Sequence, residues 1–261
     1  MVKHTFVVLA YKKSEHLELC IKSVLNQTYK SDVVIATSTP NKYIEKLAKK
    51  YNLKIKVNKE KKGIAHDFNF AVKCVNSGVV TIAHQDDIYG KDYSYNIMKQ
   101  YKKYPKSSIL FTDYYEIKNN KKEFSNVNLF IKRILLLPIR IKTLSSNKFL
   151  KRQILRFGNS ICCPAVSFVR KNIPDNVFIC NLKCNVDWYT WELLSRQKGN
   201  FIYISKKLMG HRIDEATTTT KIINEGIRTK EDLEILTKFW PKSIAKIINR
   251  VYKQSEKNNF K

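Results

Sequence analysis

The chain has 261 residues, of which 43% are hydrophobic and 11% aromatic, enough apolar surface to offset the ordering entropy of folding and to exclude a disordered chain. No apolar run approaches the roughly 20 residues that span a bilayer, and Phe6 to Ala10 is too short for a secretory signal. Lys and Arg number 49 against 22 Asp and Glu, a net charge of +27, which points to nucleic acid, acidic lipid or a phosphorylated substrate unless codon bias has loaded solvated faces with Lys.

The first hundred residues alternate β-branched runs with helical patterns, the signature of βαβ units around a parallel sheet. His4 to Ala10 reads as a buried strand, followed by a helix over Ser14 to Gln27 with Ser14 as its cap. Strands at Asp32 to Thr37 and Leu53 to Val57 flank a helix opened by Pro40. A helix from about Ala65 to Val75 leads through Gly78 into the strand Val79 to Ala83, which ends abruptly at His84-Gln85-Asp86-Asp87. Ligands of open α/β sheets bind beyond the carboxyl ends of the strands, so these polar residues stand where a site is expected.

A helix over Asp92 to Tyr104 and a strand over Ser108 to Thr112 come next. From Asn126 to Phe157 the chain is basic and apolar together, a pattern that suits a membrane interface or packing on the domain. Ala165 to Arg170 reads as a strand, Asn185 to Gln197 as a helix and Phe201 to Ile204 as a strand, with tail helices at Glu231 to Phe239 and Ile244 to Lys253. Thr217 to Thr220 suits a mobile loop. The six cysteines read as reduced thiols, since Cys180 and Cys184 lack the second pair of a zinc ribbon.

Adjacent carboxylates at a strand end disfavour each other's charge, a conflict that Mg²⁺ or Mn²⁺ relieves by binding one or two carboxylates together with substrate phosphates. An ordinary acidic turn or helix cap is the plainer reading of Asp86 and Asp87. The ordered neighbours favour the first. Val7 to Tyr11, Cys20-Ile-Lys-Ser-Val-Leu-Asn-Gln-Thr-Tyr29, Gly63-Ile-Ala-His-Asp-Phe-Asn69 and His84-Gln-Asp-Asp87 together resemble the nucleotide-binding half of family 2 glycosyltransferases. That resemblance implies a GT-A type, Rossmann-like α/β fold: a mostly parallel sheet flanked by helices, with a helical basic insertion and C-terminal helices. It divides the chain into a nucleotide-sugar-binding half (1–115), the amphipathic insertion (116–160), an acceptor-binding half (161–220) and the tail helices (221–261), within one structural domain.

The resemblance also implies roles. Asp86 matches the metal-binding aspartate of the family's Asp-x-Asp motif, with Asp87 a further ligand, a supporting group or a helix cap. His84 stands where the family has the first Asp, so its ring is a candidate for the ribose or the cation. Ala10, Tyr11, Ser38, Asp67, Gln85 and Arg212 are expected around the nucleotide, Arg212 on the diphosphate. Asp67 is either a base or sugar contact or a solvated helix residue. His211 is expected beyond a late strand, as a third metal ligand or a structural histidine. Asp187 is expected to be the catalytic base, with Trp191 one turn on, bordering the acceptor; Asp214 and Glu215 are its rivals.

The implied activity is inverting transfer of a hexosyl or N-acetylhexosaminyl group from a UDP-sugar, with Mn²⁺ or Mg²⁺. The acceptor would be a glycan or a polyprenyl-linked oligosaccharide, in surface polysaccharide synthesis, in the cytoplasm or peripherally on the inner membrane face. An anionic membrane surface is a candidate partner, and nucleic acid is not expected. A sugar nucleotidyltransferase would want a glycine-rich loop that Tyr11-Lys-Lys-Ser14 lacks. A non-catalytic basic protein that binds membranes or nucleic acid would explain the charge but not the carboxylates.

Overall fold

The structure, a computed structural model, describes residues 2–60, 63–213 and 226–258. Asp214, Glu215 and Thr217 to Thr220 lie outside the described residues. Three βα units open the chain. Strand β1 (His4–Leu9) leads to helix α1 (Leu17–Leu25), β2 (Asp32–Thr37) to α2 (Lys42–Lys50), and β3 (Lys54–Val57) to α3 (Ile64–Lys73). Next come β4 (Val79–His84), the short β5 (Ile88–Tyr89), α4 (Tyr93–Lys103), β6 (Ser107–Lys118) and β7 (Lys121–Glu123). Helices α5 (Val127–Leu135) and α6 (Lys148–Gln153) precede β8 (Val166–Val169), α7 (Val186–Arg196), β9 (Asn200–Arg212), α8 (Ile227–Leu236) and α9 (Lys242–Asn258).

The strands form one sheet in the order β3-β2-β1-β4-β8-β6-β9-β5, with β7 on the flank of β6. Pairing among β1 to β4 and between β6 and β9 is parallel, while β8 runs antiparallel between β4 and β6. This is the mostly parallel, helix-flanked α/β architecture that the motifs implied. Strand β4 is buried at every position but its last, and β6 at all but Lys118, as expected of strands covered on both faces.

Several local expectations are corrected. Ser14 lies three residues ahead of α1, which begins at Leu17: its hydroxyl donates to Asp86 and accepts the His16 amide at 3.2 Å, and the residue that precedes the helix, His16, makes no side-chain cap bond. Pro40 precedes α2, whose cap is Asn41, accepting from the amides of Tyr43 and Ile44. Strand β9 runs on to Arg212, so His211 lies within a strand and not beyond one. The two ends of the insertion are helical, and both are fastened by cations that face inward. Lys151 is fully buried, its ammonium donating to the carbonyls of Gln197 and Gly199, and desolvation lowers its pKa to about 8. Arg152 and Arg196 meet the buried carboxylate of Glu192.

A polar thread crosses the middle of the sheet. The buried His4 ring bonds the Ser31 hydroxyl at 2.8 Å and the Thr81 hydroxyl at 2.9 Å; Thr81 continues to Ser167 at 2.6 Å, and Ser167 meets the Tyr93 hydroxyl at 3.1 Å. Burial pushes the His4 pKa down from 6.5 to about 3. Below pH 6.5 the unfolded chain therefore takes up a proton that the folded chain refuses, so this contribution is complete above 6.5 and drains as the pH falls toward 3. Between about pH 5 and 6.5, urea titrations of the native chain should show stability falling with acid more steeply than in His4→Gln, by up to about 1.4 kcal/mol per pH unit. Equal slopes would remove His4 as the source.

Candidate active site

The polar run after β4 folds back on the sheet. Asp87 is buried, and its Oδ1 accepts the Arg212 amide at 2.9 Å and lies 3.0 Å from His211 Nδ1. Among the described residues its Oδ2 has no hydrogen-bond partner, and it stands 3.9 Å from His84 Nδ1. Asp86 accepts the Ser14 hydroxyl at 2.7 Å, and its carbonyl takes Arg212 Nε at 3.1 Å. Gln85 and Tyr11 exchange two bonds, Tyr11 N donating to Oε1 at 2.9 Å and Nε2 donating to the Tyr11 carbonyl at 3.1 Å. The Tyr11 ring is left exposed, while Ala10 is buried, its amide bonded to Ala36.

Asp67 is not a solvated helix residue. Its carboxylate accepts Ser38 Oγ at 2.9 Å and Asn58 Nδ2 at 2.8 Å, so three elements converge on it. On the next residue, the Phe68 ring stacks on His84 at 5.1 Å between centroids. Desolvation lowers the His84 pKa against the raising influence of Asp87, favouring a neutral imidazole, and its Nε2 is buried without a partner among the described residues. Desolvation also acts to lower the His211 pKa, but the charge and hydrogen bond of Asp87 outweigh it and the net shift is upward.

Arg212 departs from its expected place. Its guanidinium is buried between the Asp86 carbonyl and Asn120 Oδ1, where it braces the acidic turn rather than being offered to a diphosphate. Among the described residues no three His, Cys, Asp or Glu side chains form a metal-binding group, so Asp86, Asp87 and His211 are not a three-ligand cage. Asp87 and His211 spend an oxygen and a nitrogen on each other. The unpartnered Asp87 Oδ2 and the adjacent Asp86 fit a hard cation held by one or two carboxylates and completed by substrate oxygens, the usual habit of Mg²⁺.

Asp187 sits in the first turn of α7, where its Oδ2 accepts Asn159 Nδ2 at 2.7 Å and its Oδ1 the Trp188 amide at 2.8 Å. Desolvation raises its pKa, outweighing these bonds and the charges of Arg228 and Lys132. The approach to α7 is pinned by the buried Glu231, whose carboxylate accepts the amides of Lys183, Cys184 and Asn185. Trp191 does not border an acceptor: it is fully buried and stacks on Phe168, and Trp188 is likewise core, its indole donating to Leu155.

With this geometry in hand, the comparisons are informative. The family model described as glycosyl transferase family 2 matches residues 5–178. The chain belongs to glycosyl transferase family 2. A search of curated proteins returns no match. Among solved structures, residues 1–349 of S. aureus TarS in complex with UDP-GlcNAc align with a TM-score of 0.62 at 16% identity, covering 95% of this chain and 70% of that one. The mannosyltransferase PcManGT from Pyrobaculum calidifontis, in complex with GDP-Man and Mn²⁺, aligns at 0.63 and 12% identity over 97% of this chain and 70% of that one. Full TarS aligns at 0.56 and 15% identity, with 42% of its length covered. Identities this low speak to the fold.

Five contributors escaped the sequence reading: Ser14, Asn58, Phe68, Asn159 and Lys132, the last donating to the Tyr114 hydroxyl and felt at both His211 and Asp187. Each lies nine or more residues from the group it meets, beyond the reach of helical or strand spacing. Gly210, which sets His211 in β9, has a legible reason. A methyl there would lie 2.7 Å from the Tyr115 ring and 2.8 Å from Ile117 Cδ1. Gly210→Ala should destabilise the fold by roughly 1–3 kcal/mol in denaturant titrations; a change within error would mean that the strand pair yields freely.

Proposed function

We propose that this glycosyltransferase transfers a hexosyl or N-acetylhexosaminyl group, with inversion, from a UDP-sugar to a glycan or polyprenyl-linked acceptor. It would work at the cytoplasmic face of the membrane in surface polysaccharide synthesis. The observation that carries the chemistry is the acidic turn at the end of β4, where the buried Asp87 keeps Oδ2 without a hydrogen bond among the described residues beside Asp86; the desolvated Asp187, held by Asn159 and the Trp188 amide at the start of α7, is the candidate base. A raised carboxylate pKa suits a general base, because it strengthens the group's hold on an acceptor proton.

In this reading Asp187 takes the proton of the acceptor hydroxyl as its oxygen bonds to the anomeric carbon, and the bond from that carbon to the diphosphate breaks with the electron pair leaving on phosphate. A divalent cation at Asp86, with Asp87 and His211 beside it, would offset the charge on the departing diphosphate. Asn159 and the Trp188 amide orient the base. Ser38 and Asn58 hold Asp67 toward the base or sugar, the exposed Tyr11 ring offers a stacking face, and Gln85 and Ala10 shape the loop beneath it. A uridine donor is supported by the TarS complex with UDP-GlcNAc and a divalent cation by the PcManGT complex with Mn²⁺, both through fold likeness.

UDP with Mn²⁺ should stabilise the chain thermally, by about 2.7 kcal/mol at a hundredfold excess over Kd, and Asp86→Ala should lose the metal-dependent part. Salt-sensitive DNA binding without any nucleotide response would sink the proposal. Asp187→Asn should lower kcat by roughly 100- to 10,000-fold while donor binding persists, and the acid limb of the native kcat/KM profile should lie above the usual carboxylate range. Substantial residual transfer by Asp187→Asn would remove Asp187 from that role.

A further inference from the structure

Helix α5 is built inside out. Its cations turn inward, Lys132 to the Tyr114 hydroxyl at 2.9 Å and Arg133 to Asp113 at 2.9 Å, while Val127, Phe130, Ile131 and Ile134 stand exposed. These four occupy positions i, i+3, i+4 and i+7, one continuous stripe, with Val127 76% and Phe130 60% exposed. Only Leu129 and the following Leu136 are fully drawn into the core. Helix α6 repeats the inversion, with Lys151 fully buried and Phe149 66% exposed.

The apolar surface continues along the chain through the exposed Leu137, Ile141 and Leu144. At the end of the insertion Phe157 packs on Trp240 at 5.4 Å between centroids, and α9 follows directly. There Ala245 is buried and Asn249 nearly so, while Ile247 is 61% and Val251 63% exposed, with Lys246 and Arg250 exposed beside them. Solvated apolar stripes on two or three neighbouring elements exceed the scattered apolar side chains of an ordinary surface and mark a face made to be covered.

The charge decides what covers it. Residues 126–157 contain no Asp or Glu; of their eight Lys and Arg, Lys132, Arg133, Lys151 and Arg152 are committed inward, while Arg140 and Lys148 are exposed, as are Lys246 and Arg250 in the stretch 242–251, which is likewise free of acidic side chains. A second copy of a chain of net charge +27 would set cation against cation across such a face. An anionic bilayer satisfies both features, taking the apolar stripe between its acyl chains and the cations at its headgroups. We infer that the outer face of 127–157, extended by α9, docks the protein on an anionic phospholipid bilayer. This deepens the membrane-side location proposed above and rests on it for biological sense alone, since the surface and its test are independent of transfer.

The test is cosedimentation of the full chain with vesicles of phosphatidylcholine alone and of an equal mixture with phosphatidylglycerol, at low and high salt. Retention on the anionic vesicles, weakened by salt and small on neutral ones, is expected. The combined substitutions Val127→Ser, Phe130→Ser and Ile134→Ser should cut the partition coefficient roughly tenfold or more, with thermal stability and UDP response unchanged. Phe149→Ser with Ile247→Ser gives a second, independent reduction should the triple variant fold poorly. Absence of retention on anionic vesicles, or equal retention by a folded variant, would overturn the inference. So would sedimentation equilibrium showing a native dimer that the variant reduces to monomer. A native chain that binds vesicles without responding to UDP would fail the transferase reading and leave this one standing.

Discussion

The site depends on one buried carboxylate oxygen. Asp87 Oδ1 gathers the amide of Arg212 and the ring of His211, tying the residue that follows β4 to the far end of β9. Left without donors in so dry a place, a carboxylate would cost several kcal/mol, so the two strands must arrive together for either to be stable. What surrounds the pair follows from that tie. Strand β5 begins at the next residue and pairs with β9 through Ile88 and Gly210, and Arg212, held by its amide, lays its guanidinium under the Asp86 carbonyl. The acidic turn is thus supported from below by groups more than a hundred residues away.

Much of the first half was legible because its signals are local. Apolar β-branched runs, helical spacing and a glycine turn define β1 to β4 and their helices within a residue or three, and Asp32 to Thr37 coincides with β2. The acidic turn was legible for the same reason, since an apolar strand that stops at His-Gln-Asp-Asp changes character in one step. The second half resisted because its order is made by pairing. Strand β9 runs past Ile204, where the expected strand ends, through Ser205, Lys206 and Lys207, and stays extended because β6 pairs alongside it through three irregular register shifts. Strands β5 and β7 have two and three residues and exist only through their partners. Trp191 shows the limit of helical spacing. It does fall one turn after Asp187, but the neighbouring Phe168 claims its ring for the core.

The inward cations of the insertion illustrate how a basic sequence can pack. Lys151 is affordable in the interior because two carbonyls accept from its ammonium, and the face of Phe201 lies beneath it at 5.0 Å. Arg133 has the buried carboxylate of Asp113 and the carbonyl of Tyr114. Once the polar groups of a short helix are committed inward, its apolar side chains have nowhere to go but outward. The hydrophobic pattern alone would have assigned these two faces the other way round.

Helix α5 is riveted to β6 along its length, by Asn126 to Glu116, Lys132 to Tyr114 and Arg133 to Asp113. In the sheet Glu116 stands opposite His211. The outer stripe and the candidate site therefore flank one strand that is buried along nearly its whole length, so the helix that carries the stripe and the strand that carries His211 take their positions from the same backbone.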